Sequence, residues 1–280
     1  MANYSVSCDG VALDEAGGLY SLAVYTDGEG FNSYVYHSSD VALGAENRQT
    51  ELLDVQEWLT DIWRSRDKKL VVVDASGNAR HFDGADWSVL EVSGNALTCI
   101  WGIDEHTVFT AGDAGIVYRW DGRVWTPISA ALGTTIFCVR GTSDRNLYAC
   151  GERGAFFHYD GTDWTRIELP TNQRLLGLLV MAPNDTLVCG NGGVLYRGDG
   201  TNWRDISQPI GHLFSLVRFQ KGIYVAGAAS GIFRLRDDSL EPVKGLTSYK
   251  LSSNKNFLAS SGDQLAARFD GSLWFGTRFD

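Results

Sequence analysis

Ile116-Val117-Tyr118-Arg119-Trp120-Asp121-Gly122-Arg123-Val124-Trp125 is the stretch on which the fold turns. A run of β-branched and aromatic residues meets an Asp-Gly pair, and a second strand-like run follows from Trp. The phrase Asp-Gly-x-x-Trp returns at Asp83…Trp87, Asp160…Trp164, Asp199…Trp203 and Asp270…Trp274. A worn copy stands at Asp237-Asp238, with Glu241 in place of Trp. From Asp83 to Asp199 the copies lie 38 to 39 residues apart, a repeat period and not a domain length.

Working outward, residues 97–129 make one unit. Leu97-Thr98-Cys99-Ile100-Trp101-Gly102 is an apolar run suited to a buried strand, and Asp104-Glu105-His106 a polar turn. Thr107–Ala111 follows, then Gly112-Asp113-Ala114-Gly115, whose glycines accept positive φ. Ile116–Trp120 is the third strand and Val124–Ile128 the fourth. The Asp-Gly between them predicts a type I′ hairpin turn with two positive φ angles. Four short antiparallel strands in such a repeat are one propeller blade. The fold class is therefore all-β, a single β-propeller of about seven four-stranded antiparallel blades. Six or eight follow if the N-terminal region is misread.

One domain spans 1–280, with repeats from about 19 to 280. Asp9-Gly10 falls two periods before Asp83, so residues 1–18 read as a ring-closing segment that completes a blade begun at the other end of the chain.

The Trp of each phrase is expected on the outermost strand, wedged between blades. Two places before each turn Asp stand His81, Arg119, His158, Arg197 and Arg268, read as hydrogen-bond donors to backbone or acidic neighbours.

The phrase resembles the Asp-box between the third and fourth strands of sialidase-type propellers, and is similar to tryptophan–aspartate and other bacterial propeller repeats. That resemblance implies a propeller. It differs in lacking a residue between Asp and Gly and a Ser or Thr before Asp. The arginine triad and Phe-Arg-Ile-Pro segment of sialidases have no counterpart, so the resemblance carries no sialidase activity.

The 24 basic and 34 acidic residues give a net charge of −10. Such a chain lacks the basic footprint for nucleic acid or an anionic membrane, and would suit a basic protein partner. Five Cys without paired spacing fit neither a disulfide framework nor a zinc site. Cys150 and Cys189 share the repeat position of Ala111 and Ala226, which predicts small buried thiols and a cytoplasmic protein. The N-terminus shows no basic segment followed by an apolar run, and no stretch is long enough to span a membrane.

No His-Glu-x-x-His, Gly-x-Ser-x-Gly or phosphate-loop pattern occurs, and the five His are scattered, so no catalytic residue is assigned. No cofactor is expected, with one exception: Asp74, Asp113, Glu152 and Asp263, in turns between second and third strands, could ring one face and hold Ca²⁺. The preferred binding face combines Asp113, Glu152, Arg153 and Asn191 in those turns with Arg174 and His212 in interblade loops. A rival face, at the far end of the inner strands, carries Trp63, Trp101, Arg140 and Arg218, residue types enriched at interfaces. The function expected is a non-enzymatic protein-binding module, either a scaffold or a cytoplasmic inhibitor of immunity type. The alternatives are a carbohydrate-binding or glycoside-hydrolase-like propeller and a metal-dependent lactonase- or esterase-type enzyme.

Overall fold

In a computed structural model that describes residues 4–39 and 49–279, seven four-stranded antiparallel sheets form a propeller ring. The blades occupy residues 5–55, 59–91, 97–127, 136–166, 175–205, 215–244 and 250–278. Every blade is contiguous in sequence, and its strands pair in chain order from the axis outward. The inner strands are Ser5–Leu13, Leu59–Arg64, Leu97–Asp104, Ile136–Ser143, Leu175–Ala182, Ser215–Phe219 and Lys250–Ser253.

A four-stranded sheet cannot bury both faces alone, and here adjacent blades cover each other. Apolar residues gather in seven clusters, each at a blade–blade interface. Phe109 of blade 3 packs with Ile136 and Phe157 of blade 4, for example, and Leu22 of blade 1 with Ile62 and Val72 of blade 2. All five Cys are buried free thiols, and burial pushes the Cys99 thiol up to about 12.

The N-terminal segment corrects the expected mode of closure. Ser5–Leu13 is the inner strand of a complete first blade and does not complete a blade begun at the far end of the chain. Gly10 marks a bulge in that strand rather than a turn. A Cβ there would sit 2.6 Å from Ile62 Cγ2, so the glycine serves close approach to blade 2. The ring closes by contacts between complete blades instead: Cys8 N donates to Asp263 O (2.5 Å), Arg268 Nη1 to Gly17 O (2.6 Å) and Asn254 Nδ2 to Asp14 O (2.8 Å). Leu13 and Leu19 meet Ala259 and Phe279 in the apolar layer beneath.

The repeated phrase also folds differently from the expected type I′ turn. In the five intact copies only the glycine has positive φ (Gly84, Gly122, Gly161, Gly200 and Gly271, 93° to 109°). The Asp carboxylate closes a longer loop by accepting two backbone N–H groups: Asp121 Oδ1 takes those of Arg123 (2.8 Å) and Val124 (2.9 Å). Side-chain competition with the backbone has displaced the two-residue hairpin. The worn copy is the one with positive φ at both central residues, Asp237 (48°) and Asp238 (63°).

Each Trp reaches the preceding blade, as expected. The Nε1 of Trp87 donates to Leu52 O (2.7 Å), that of Trp125 to His81 Nε2 (3.2 Å) and that of Trp164 to Ile128 O (3.2 Å). The residues two before the Asp find polar partners too. Arg119 meets Asp144 of the next blade at 3.7 Å, while Arg197 clasps Asp185 and His158 meets Asn146 within their own blades.

These contacts predict loss of stability on acidification. Burial holds the His81 imidazole down to about 4, and His158 is lowered by the same cause. Unfolding lets both bind a proton below about pH 6.5, so stability should fall from that pH toward 4. The five turn carboxylates, held below their usual range by the backbone N–H groups they accept, add a second loss as pH drops below about 4. Thermal midpoints should fall by about 5 °C between pH 7 and 4.5. The double variant His81→Gln with His158→Gln should flatten that stage, and an unchanged slope would refute the assignment.

Candidate functional site

The two ends of the disc differ in how their loops are used. Interblade loops and the turns between second and third strands share one end, and there they are fastened together. Leu132 N donates to Gly115 O (2.9 Å), Gly154 N to Gln173 O (2.8 Å) and Gln208 N to Gly193 O (3.1 Å). The preferred residues lie at this end, most of them bonded to one another or to nearby backbone. Arg174 Nη2 pairs with Glu152 Oε1 at 2.7 Å, and its guanidinium lies over Phe137. His212 Nδ1 accepts the Gly192 N–H at 3.1 Å, and the backbone N–H groups of Asp113 and Asn191 donate to Ala96 O and Arg174 O. Arg153 is exposed, at φ 54°.

The four acids read as a Ca²⁺ ring do not converge. Asp74 is fully buried, accepting the N–H groups of Ser76 and Asn78 (2.9 and 2.8 Å) and pairing with buried Arg80. Glu152 is held by Arg174, and Asp263 Oδ1 accepts the Tyr249 hydroxyl at 3.3 Å. Among the described residues, no group of three or more His, Cys, Asp or Glu side chains comes together as a metal would need.

At the other end an axial cavity of about 780 Å³ opens, walled by residues of all seven inner strands and, in blades 1, 2 and 7, of the turns that follow them. Trp63, Trp101, Arg140 and Arg218, the rival set, all line it. Trp63 reaches blade 3, where a Cβ on Gly102 would come within 2.6 Å of the indole. Trp101 stacks on Phe109 at 5.9 Å between centroids. Arg140 Nη1 donates to Val139 O (2.8 Å), and Arg218 is exposed at the mouth.

Sequence reasoning missed Asp61 and Lys250 on this wall, which meet at 3.4 Å across the inner strand of blade 1. Asp61 also accepts the N–H groups of Ile62 (3.1 Å) and Ile100 (3.0 Å). Their signal was positional. Asp61, Cys99, Cys138 and Lys250 pair with Val73, Ala111, Cys150 and Ser261, the same phase in four blades. A charge in a phase that elsewhere holds a thiol is a departure from the repeat, and the departure marks the axis. Arg64, Arg66 and Lys255 complete the basic lining.

A smaller cavity of about 430 Å³ opens between blades 2 and 3, walled by Trp63, Phe82, Trp87 and Trp120 with Asp83 and Glu105 among the polar groups.

Compared with known proteins, the chain is similar to propellers throughout its length. It superposes on the WD40 β-propeller domain of Doa1 with a TM-score of 0.77 at 12% identity, covering 96% of each chain. YCF48 from Cyanidioschyzon merolae gives 0.69 at 14%, covering 97% of this chain and 95% of that one. A structure of YCF48 bound to D1 peptide gives 0.71 at 13%, covering 99% and 97%. At such identities the likeness establishes the fold alone. No protein-family model and no curated protein matches the chain. The chain is a seven-bladed β-propeller repeat protein. Among the described residues no helix is long and apolar enough to cross a membrane.

Proposed function

We propose that this protein is a non-enzymatic interaction module that receives a protein partner at the axial mouth. The observation that carries this reading is the asymmetry of the two ends. One end spends its polar groups on fastening loops to turns. The other converges seven strand ends on an open cavity walled by Trp63, Trp101, Arg140 and Arg218. Indole and guanidinium groups combine large contact area with directional donors, which suits them to anchoring a partner. Two structural neighbours lend support: one is a WD40 domain, and another was solved with a peptide bound. An adaptor or inhibitor role, in the cytoplasm or elsewhere, is compatible with such a disc.

The test is affinity capture from the native host with the tagged protein. A stoichiometric protein whose recovery is lost with Arg218→Glu is the expected result. Failure to recover any such protein would count against the proposal.

The cleft between blades 2 and 3 supports a second reading, glycan binding. Its aromatic walls and neighbouring carboxylates are the chemistry that stacks and hydrogen-bonds a sugar ring. A glycan array would decide it, with retention of at least one saccharide expected and a silent array ruling it out.

A further inference from the structure

The wall of the axial cavity has a charge opposite to that of the protein. The chain as a whole is at −10, yet the lining holds six cations, Arg64, Arg66, Arg140, Arg218, Lys250 and Lys255, against two acids, Glu15 and Asp61. Asp61 is already satisfied by Lys250 and by two backbone N–H groups. Five cations are left with one exposed carboxylate, Glu15, beside them.

Those five stand outside salt bridges among the described residues, although the Arg64 guanidinium also lies over the Tyr20 ring at 5.2 Å and Arg140 shares the field of Asp61. Among the described residues, no ion pair joins Arg64, Arg66, Arg140, Arg218 or Lys255 to a carboxylate. Arg64 Nη1 donates to its neighbour's carbonyl, Ser65 O, at 3.1 Å, while its buried Nε has no hydrogen-bond partner. Like charges gathered in a concave, partly desolvated site repel one another and focus a positive potential into the cavity. An anionic ligand would remove that repulsion and supply acceptors for the guanidinium forks.

Size and apolar content narrow the ligand. A cavity of about 780 Å³ is far larger than one phosphate needs and falls in the range that buries a drug-sized molecule or a short peptide. Trp63, Trp101 and Leu179 stand on the same wall as the cations. An extended chain alternating acidic and apolar side chains would match both features.

We infer that the axial cavity receives an acidic peptide segment, its carboxylates paired with Arg64, Arg140 and Arg218 and an apolar side chain laid against Trp63 and Trp101. This rests on the proposed function and deepens it, replacing the basic partner suggested by net charge with an acidic one.

The experiment titrates the protein with a fluorescent Glu-Glu-Leu-Glu peptide, a Lys-Lys-Leu-Lys peptide and inorganic phosphate. Binding of the acidic peptide alone is expected, weakening severalfold as salt rises from about 50 to 300 mM. Arg140→Gln and Arg218→Gln should each weaken it at least fivefold, and Arg174→Gln at the opposite end should leave it unchanged. Arg218 is exposed, so its variant reports even if Arg140→Gln disturbs folding. No acidic-peptide binding, equal binding of the basic peptide, or displacement by phosphate at equal concentration would overturn the inference. A host partner that still depends on Arg218 while the acidic peptide fails would leave the functional reading standing and sink only this one.

Discussion

Gly193→Ala lowers stability by about 3 kcal/mol, whereas Gly192→Ala next to it costs about 1 kcal/mol. Both glycines have positive φ, 78° and 68°, so both substitutions force an alanine into the left-handed region. Only Gly193 adds a steric conflict: its Cβ would fall 1.7 Å from Gln208 O, while nothing lies within 4 Å of one on Gly192. That oxygen belongs to the interblade loop whose N–H is bonded to Gly193 O, so the clash pries apart the fastening that defines this end of the disc. Gly154 repeats the arrangement one blade earlier, 2.1 Å from Thr171 O. Urea unfolding of the two variants measures the difference, and equal losses would mean that the loop gives way freely.

Trp203→Ala should cost about 4 kcal/mol, because it empties the interface between blades 4 and 5. The indole meets Tyr148 and Phe156 of the preceding blade edge-on, at 6.4 and 4.8 Å, and lies over Gly198, where a Cβ would collide with it. Yet among the described residues its buried Nε1 has no hydrogen-bond partner, unlike that of Trp87, which donates to Leu52 O. Trp203→Phe is therefore expected to lose only the packing of the larger ring, and Trp87→Phe about 1 kcal/mol more for its hydrogen bond. If the two Phe variants lose equal stability, the hydrogen bonds do not distinguish the wedges.

What repeats in the chain was legible, because repetition reports packing. The count of about seven blades and the placing of each Trp between blades both followed from phase. The turn conformation did not, since Asp-Gly suits a type I′ turn and an Asp-capped loop equally well. What decides is whether the Asp oxygen finds the two N–H groups beyond the glycine, as Asp121 Oδ1 does. Ser5–Leu13 was misplaced for a similar reason. Its Asp9-Gly10 copies the repeat phrase, but Gly10 is needed there for contact with Ile62. The axial site was half visible: Trp63, Trp101 and Arg140 share a phase, which argued for packing, whereas Arg218 stands one residue on, in the phase of Arg64. Their convergence with Arg64 and Lys250 on one cavity needs the ring, because strands distant in sequence meet only at its axis.

The polar residues chosen first, in turns and interblade loops, show the converse. Glu152, Arg174 and His212 looked free because their partners are nonlocal, and the fold joins them to one another or to backbone.

The central claim is that the open axial end, and not the fastened end, does the binding. It is tested most directly by measuring the affinity of the host-derived partner for Arg218→Glu and for Arg174→Glu side by side. A loss of a hundredfold or more with Arg218→Glu and less than threefold with Arg174→Glu is the predicted result. The reverse order would place the binding surface on the opposite end of the disc and contradict the account.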